Sequence, residues 1–194
     1  MAAACPVPPM ASEGLESASV LEEGRRARLR QLIDDHFASV WKFLRGLGVP
    51  AHLAEDASQE VFLVAARRVD DIKGGQASER SFLLGTAYRV NRDLQRRAHR
   101  EALHEDVDTE LGAAPNPEEQ LDAKRSCELV YRILSELDED VRPVFVMYEL
   151  NGMTMIEISK LLCLPIGTVG SRLRRAREDF KARFDRHRKR VGGL

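Results

Sequence analysis

The chain has 194 residues, long enough for one domain or two small ones, and 43% of them are hydrophobic but only 6% aromatic. Its apolar runs are far shorter than the roughly 20 residues of a membrane span, and no Lys or Arg precedes Arg25, so we expect neither a transmembrane segment nor a signal peptide but a cytoplasmic protein. The net charge is −1, yet acidic and basic residues are segregated along the chain, a pattern that a sum of charges hides.

The first half of the chain predicts helices only. Residues 1–24, with three early prolines, are expected to form a disordered tail. Apolar residues at three- and four-residue spacing then predict a helix from about Arg26 to Leu47, ended by Gly48 and Pro50, with Trp41 in its core stripe. A second helix is predicted over 51–69. Its inward residues are expected to be Leu53, Ala57, Val61, Val64 and Ala65, and its outer face is acidic and polar.

A third helix carries the first basic surface. It is predicted from Ser81 to about Arg100, after Gly74-Gly75 and a polar loop that extends to Arg80. Three of its arginines follow i, i+3, i+7 spacing, which aligns them on one helix face where they could follow a phosphate backbone. These are Arg89, Arg92 and Arg96, and Arg97 lies beside them.

An acidic segment separates the two halves. Residues 101–122 hold eight Asp and Glu residues and no Lys or Arg, together with Gly112, Pro115 and Pro117. This composition is typical of a flexible linker, which we place at 101–123. Basic residues lie on both sides of it, and two basic runs that each end a helical pattern favour a nucleic-acid partner over two solvated helix faces.

The second half predicts a helix-turn-helix. A fourth helix and a fifth helix, which has Pro143 in its first turn, precede the break at Asn151-Gly152. Thr154 and Glu157 have the spacing of a capping box, so a short sixth helix starts there and ends near Cys163. A last helix runs from about Gly167 to Phe184. In such a unit the second helix places its N-terminal residues in the major groove. The residues expected to face DNA are Thr168, Val169, Ser171, Arg172, Arg174 and Arg175.

Three segments now carry a family resemblance. Residues 165–178, PIGTVGSRLRRARE, resemble the promoter-reading helix of the extracytoplasmic-function (ECF) group of sigma factors. Residues 54–62, AEDASQEVF, resemble the family's helix that docks on the polymerase, and residues 81–97 resemble its helix for the −10 element. All three occur in the family's order. The resemblance implies an all-α fold with sigma domain 2 at 25–100, domain 4 at 124–185 and a basic C-terminal tail at 186–194.

The resemblance also implies roles for individual residues. Asp56, Gln59 and Glu60 would contact the β′ clamp helices of core RNA polymerase, and domain 4 would lie against the β flap. The four arginines of the third helix would hold the −10 element, and the loop Lys73 to Arg80 would help capture a base of the opened strand. Residues Thr168 to Arg175 would read the −35 element. An anti-sigma protein, often membrane-bound in this family, is implied as a further partner, and no cofactor is.

Two positions depart from the family's pattern. Gly170 stands where a basic or polar residue is common, so one DNA contact is expected to be missing. Cys163 stands at a helix end where the family often has Gly. If that position needs a left-handed backbone, Cys163→Gly should stabilise the protein.

Two other classes of function remain as alternatives. A free-standing helix-turn-helix regulator would bind DNA without polymerase, but it would have no reason to carry the docking segment 54–62. An enzyme is disfavoured because the histidines show no metal-ligand spacing and are expected on the surface, and no Ser or Cys lies in a nucleophile motif. Cys5, Cys127 and Cys163 are expected to be reduced thiols, and no metal site is predicted. The histidines are His36, His52, His99, His104 and His187.

Overall fold

A computed structural model of the protein describes residues 13–102 and 118–191, and these ranges contain helices and no strand, which confirms the all-α prediction. A short π-helical stretch, the π segment (Val146–Leu150), continues directly from the fifth helix. The helices are α1 (Glu13–Gly46), α2 (Ala51–Arg67), α3 (Gln76–Ala102), α4 (Glu118–Ser135), α5 (Arg142–Phe145), α6 (Met155–Leu162) and α7 (Ile166–Val191).

Several helices are longer than the sequence pattern predicts. α1 begins at Glu13, inside the tail expected to be disordered, and Arg25 Nε lies 3.2 Å from Asp70 Oδ2 in the turn after α2. Arg28 donates to the Ile72 carbonyl of the same turn, so ion pairs and hydrogen bonds tie the early part of α1 to its own unit. α7 likewise continues through most of the predicted tail, where His187 approaches Glu136, the carboxylate that Arg183 also pairs with just before the tail. The predicted linker lies mainly outside the described residues, and its last six positions belong to α4.

Helices α1 to α3 form the N-terminal unit, whose core combines aliphatic side chains with Phe43 and Phe62. Phe43, Leu44, Val61 and Leu84 are all 1% exposed or less. The prediction that Leu53 faces inward is wrong: it is 42% exposed, because the buried side of α2 follows Ala54, Ala57, Ser58, Val61, Phe62 and Ala65.

His36 corrects a second expectation. It was expected at the surface, but its side chain is 8% exposed and its Nε2 lies 3.7 Å from Glu79 Oε2 at the start of α3. The imidazole therefore packs inside the N-terminal unit, where a periodicity of apolar residues alone would not have placed it.

Helices α4 to α7 form the C-terminal unit. Pro143 lies in the first turn of α5, as predicted. The capping box is also confirmed, since the Thr154 side chain accepts from the Glu157 amide while Glu157 Oε2 accepts from the Thr154 amide at 2.8 Å. These bonds lower the pKa of Glu157, chiefly through the backbone amide of Thr154. Cys163 ends α6 at φ 54° and ψ 44°, the left-handed geometry anticipated for this position.

The two units pack directly on each other through close helix crossings. A Cβ at Gly46 would lie 2.9 Å from Val146 Cγ1, and a Cβ at Gly85 would lie 3.2 Å from Leu161 Cδ1. Gly48 has φ +96°, and a Cβ there would lie 2.6 Å from the Arg142 guanidinium. Glycine at these points lets the end of α1, and the middle of α3, approach the C-terminal unit closely.

Arg142 joins the two units by hydrogen bonds. Its guanidinium donates to the carbonyls of Leu47 at 3.1 Å, Ser135 at 2.7 Å and Leu137 at 2.6 Å, so it caps the ends of α1 and α4 together. Burial lowers the pKa of Arg142, while the nearby Glu139 and Asp138 raise it. An arginine remains charged under such a perturbation, because its ordinary pKa is far above neutral.

Trp41 lies in this seam rather than in the centre of the α1 core stripe. It is partly buried and meets Tyr131 of α4 edge to face, with ring centroids 6.4 Å apart. The Arg45 guanidinium lies 5.9 Å from the Trp41 ring centre and 5.0 Å from that of Tyr131. Burial raises the pKa of Tyr131, so its hydroxyl is neutral here. The seam thus combines aromatic and cation–π contacts.

Candidate nucleic-acid and polymerase interfaces

The start of α7 presents the first candidate surface. Ser171 and Arg174 are exposed and Thr168 is half-buried, so these side chains border solvent as predicted. Val169 does not: it is 0% exposed and packs in the core with Leu173 and Ala176. The prediction that Val169 faces DNA is therefore wrong, because i, i+4, i+7 spacing places it on the buried stripe of the helix.

Two of the candidate DNA-binding residues of α7 form ion pairs within the protein. Arg172 Nε lies 3.7 Å from Asp140 Oδ2, and Arg175 forms an ion pair with Asp138. Both carboxylates belong to the turn between α4 and α5. Ser171 Oγ donates to the Thr168 carbonyl at 3.0 Å. Arg174 is more open, with 78% of its side chain exposed and a 3.8 Å pair to Glu178 on its own helix.

Gly170 lies between these residues at a position with free space for a side chain. Among the described residues, a Cβ at Gly170 would meet no atom within 4 Å apart from its chain neighbours and the adjacent backbone of α7. A longer side chain would therefore fit there, and the absence of one removes a possible contact from this face of α7.

Arg177 has a structural partner. Its Nε donates to Glu149 Oε1 at 2.7 Å, and its guanidinium lies 5.3 Å from the Tyr148 ring centre. The hydrogen bond to Glu149 raises the pKa of Arg177. This contact ties α7 to the π segment, a role that the sequence pattern did not indicate.

The second basic surface is the outer side of α3. Arg89, Arg92, Arg96 and Arg97 are exposed, as their spacing predicts. All but Arg89 border an open groove of about 820 Å³ along the C-terminal half of α3, and Glu139 of the C-terminal unit lies on its far side. Within the described residues, Arg96 pairs with Asp93 at 3.8 Å.

Arg80 differs from its predicted setting. The polar loop expected to reach Arg80 ends at Gly75, and Arg80 lies in the first turns of α3, half-buried. Its guanidinium is 3.4 Å from Asn151 Oδ1, the residue that follows the π segment. The first turns of α3 therefore contact the C-terminal unit instead of standing free.

The third candidate surface is the outer face of α2. Asp56 and Gln59 are exposed and Glu60 is half-buried, on the side opposite the buried stripe of α2. Leu63, one turn further, is 60% exposed, and Leu53 lies one turn earlier. The face is thus an acidic strip with an exposed leucine at each end, and sequence periodicity had assigned Leu53 to the core instead.

The thiols and histidines form no reactive cluster in the part of the chain that the structure describes. Cys127 and Cys163 are exposed free thiols there, and Cys5 lies outside the described residues. The same ranges hold no group of three His, Cys, Asp or Glu side chains placed to bind a metal ion.

The sequence reasoning overlooked one charged feature. Asp138, Glu139 and Asp140 form an acidic turn between α4 and α5. Asp138 and Asp140 pair with arginines of α7, and Glu139 borders the groove along α3. Three consecutive carboxylates just before the predicted fifth helix were the available signal, but their position opposite both basic helices depends on how the two units pack.

The fold defines an all-α protein with a helix-turn-helix in its C-terminal unit. Comparison with known proteins adds the family: residues 127–180 match the model for sigma-70, region 4. The ECF RNA polymerase sigma-E factor of Escherichia coli K12 is 31% identical over 140 residues, covering 67% of this chain and 73% of that protein. The ECF RNA polymerase sigma factor SigE of Mycolicibacterium smegmatis is 29% identical over 164 residues, covering 81% and 62%.

Solved structures agree on the fold. The sigma factor RpoE of Bartonella quintana, solved with the anti-sigma factor NepR, has a TM-score of 0.67 at 20% identity, covering 80% of this chain and 96% of that one. CnrH, solved with the cytosolic domain of CnrY, has a TM-score of 0.58 at 24% identity, covering 81% and 87%. The chain belongs to the ECF family of RNA polymerase sigma factors. A free-standing regulator is not favoured by these matches.

Proposed function

We propose that this sigma factor works through two separate DNA-reading units: residues 25–100 act as sigma domain 2 and residues 124–185 as sigma domain 4. The observation that carries the proposal is the placement of exposed arginines on one helix of each unit, α3 and α7, with an acidic face on a third helix, α2. Phosphate contacts from such arginines position a protein on DNA, and base-edge contacts supply its sequence preference.

α7 is assigned to the −35 element. Arg172, Arg174 and Arg175 would contact base edges or phosphates, with the hydroxyls of Thr168 and Ser171 beside them, and a good bidentate base contact contributes about 1–3 kcal/mol of discrimination. Val169 supports this surface from the core. Since Gly170 offers no side chain, the promoter preference should differ from that of relatives with a basic residue there.

α3 is assigned to the −10 element. Arg89, Arg92, Arg96 and Arg97 would hold the backbone while the strands separate. Opening needs no covalent chemistry, because a protein that binds the opened strand better than the closed duplex shifts the equilibrium by that difference in affinity. We therefore assign the chain a non-enzymatic role that needs no cofactor.

α2 is assigned to the polymerase. Asp56, Gln59 and Glu60 would meet basic and polar groups of the β′ clamp helices, a complementary contact that sets orientation and association rate more than raw affinity. The C-terminal unit would lie at the β flap. No helix in the described ranges is long and apolar enough to cross a membrane. A protein that acts on the polymerase would work in the cytoplasm.

An anti-sigma protein is proposed as a further partner. The support is the fold shared with the sigma factor RpoE of Bartonella quintana, which was solved in complex with the anti-sigma factor NepR. Co-purification of such a protein with this chain, and loss of its polymerase binding when the two are mixed, would test the proposal.

The main test measures binding to core polymerase and initiation from a promoter library. The wild-type chain should co-elute with core polymerase and start transcription at a defined motif, and Asp56→Arg should abolish both because it reverses the charge at the centre of the α2 face. Asp34→Arg, an exposed charge reversal on α1, is the matched control and should retain both activities. Core binding that survives Asp56→Arg would refute the assignment of α2.

A further inference from the structure

The acidic turn lies between the two helices assigned to DNA. On one side, Asp138 pairs with Arg175 and Asp140 lies 3.7 Å from Arg172 of α7. On the other, Glu139 lines the groove along α3 together with Arg92 and Arg96. A second, smaller groove is lined by residues of all three elements at once, among them Arg92, Glu139, Asp140 and Arg172.

The turn is held in this place by backbone contacts. The Asp138 carbonyl accepts from the amides of Val141 and Arg142, and the Arg142 guanidinium binds the Leu137 carbonyl just before the turn. The same guanidinium binds Leu47 of α1. The position of the turn opposite α3 is therefore linked to the contact between the two units.

The carboxylates of this turn place negative charge beside arginines, as a nucleic-acid backbone does. Its carboxylates offer acceptor oxygens to the guanidinium groups that would otherwise bind phosphates, and arginine pairs with carboxylate and phosphate in the same geometry. We propose that the acidic turn, Asp138 to Asp140, is an internal phosphate mimic that holds the free sigma factor in a form with low affinity for promoter DNA. The proposal rests on the assignment of α3 and α7 to DNA.

The packing of the units strengthens this conclusion. Arg92 and Arg172 line one groove of about 360 Å³, so the two reading surfaces are neighbours in this structure. Two promoter elements lying more than one helical turn apart are separated by over about 34 Å of duplex. The units must therefore part before both elements are bound, and parting them withdraws Glu139 from α3.

Free-chain DNA binding tests the proposal. The probe is a fluorescent duplex carrying the −35 region of the promoter that initiates most strongly in the library, and binding is followed by anisotropy across a salt series without polymerase. Asp138→Asn with Asp140→Asn keeps the side-chain size but removes both charges. The double variant should bind about tenfold more tightly, since each exposed pair contributes modestly.

The salt dependence should change in the same variant. When wild-type protein binds DNA, the released carboxylates take up cations and offset part of the counterion release. The variant lacks these carboxylates, so its plot of log affinity against log salt should be steeper by about one to two. A matched control, Asp34→Asn with Glu128→Gln, removes two exposed carboxylates from α1 and α4 and should change the affinity less than twofold.

Glu139→Gln separates the two sides of the turn. It should strengthen binding of a single-stranded −10 oligonucleotide about threefold, because an isolated exposed charge near the arginines contributes little more, and leave the −35 duplex unaffected. The proposal is overturned if the double variant shows the wild-type affinity and salt slope. If the double variant proves unfolded in a thermal melt, an unchanged affinity of Glu139→Gln for the −10 oligonucleotide overturns it instead. Initiation by the wild-type holoenzyme is measured separately, so the proposed function and the phosphate mimicry of the acidic turn can fail independently.

Discussion

In the DNA-free protein, the arginines of α3 and those at the start of α7 differ in their intramolecular ion pairs. Arg92 pairs with no carboxylate among the side chains that the structure describes, and Arg96 pairs only with a neighbour on its own helix. On α7, Arg172 and Arg175 are paired with carboxylates from another element. Similar sequence runs thus give two kinds of basic surface: α3 can add phosphates to open guanidinium groups, whereas α7 must exchange a carboxylate for a phosphate.

The largest effect is expected on α3. Arg92→Ala with Arg96→Ala removes two phosphate contacts and should lower initiation by holoenzyme about ten- to a hundredfold at moderate salt. Runoff transcription measures it. Arg26→Ala with Arg30→Ala, two exposed arginines of α1, is the matched control and should stay within twofold of wild type. Equal losses in both double variants would mean that overall charge, not the α3 face, governs initiation.

Salt dependence should separate the two surfaces more sharply. Arg92→Ala should reduce the slope of log affinity against log salt by about one, as expected for a lost phosphate contact. Arg175→Ala should reduce it by clearly less, because wild-type Arg175 gives up its pair with Asp138 when it binds DNA. Anisotropy with −10 and −35 probes provides both slopes. Equal reductions would show that the intramolecular pair has no bearing on binding.

The capping box begins α6, the helix on which the start of α7 packs. Thr154→Ala should lower the free energy of unfolding by about 1 kcal/mol, because it leaves an amide of α6 without its acceptor. Since α6 supports α7, −35 binding should weaken while −10 binding is preserved. Denaturant melts and the two DNA probes measure these effects.

The same capping box predicts a pH dependence. The lowered pKa of Glu157 means that its stabilisation is present above the ordinary Glu value of 4.5 and is lost as the pH falls through the lower value of the folded state. Glu157→Gln should flatten this part of the stability profile. An unchanged profile between the two proteins would contradict the assignment.

The smallest effect is expected at the turn between α6 and α7. Cys163→Gly should raise the free energy of unfolding by about 0.5–1 kcal/mol, because glycine adopts the left-handed backbone without the cost of a Cβ. Removing the thiol costs little stability, because it is exposed and its polar contact to the Lys160 carbonyl is long at 3.8 Å. Cys163→Ala keeps the strain and should show no gain in a thermal melt.

Local features of the fold could be predicted from the sequence, and features that depend on packing could not. The capping box, Pro143 in the first turn of α5 and the geometry at Cys163 are each specified by a few adjacent residues. The burial of Val169 follows from its spacing with Leu173 and Ala176, although basic residues surround it in the sequence. The ion pairs of Arg172 and Arg175 required the tertiary arrangement, because their partners lie more than thirty positions away.

Gly46 makes the seam between the two units unusually sensitive to a single methyl group. It is buried at the end of α1, and the atom that a Cβ would meet belongs to Val146, a fully buried, β-branched side chain with little rotamer freedom to move aside. An alanine at this position would push the two units apart, and it would leave every charged residue of the sequence unchanged. A substitution at Gly46 therefore changes how the two units pack without changing any charged side chain.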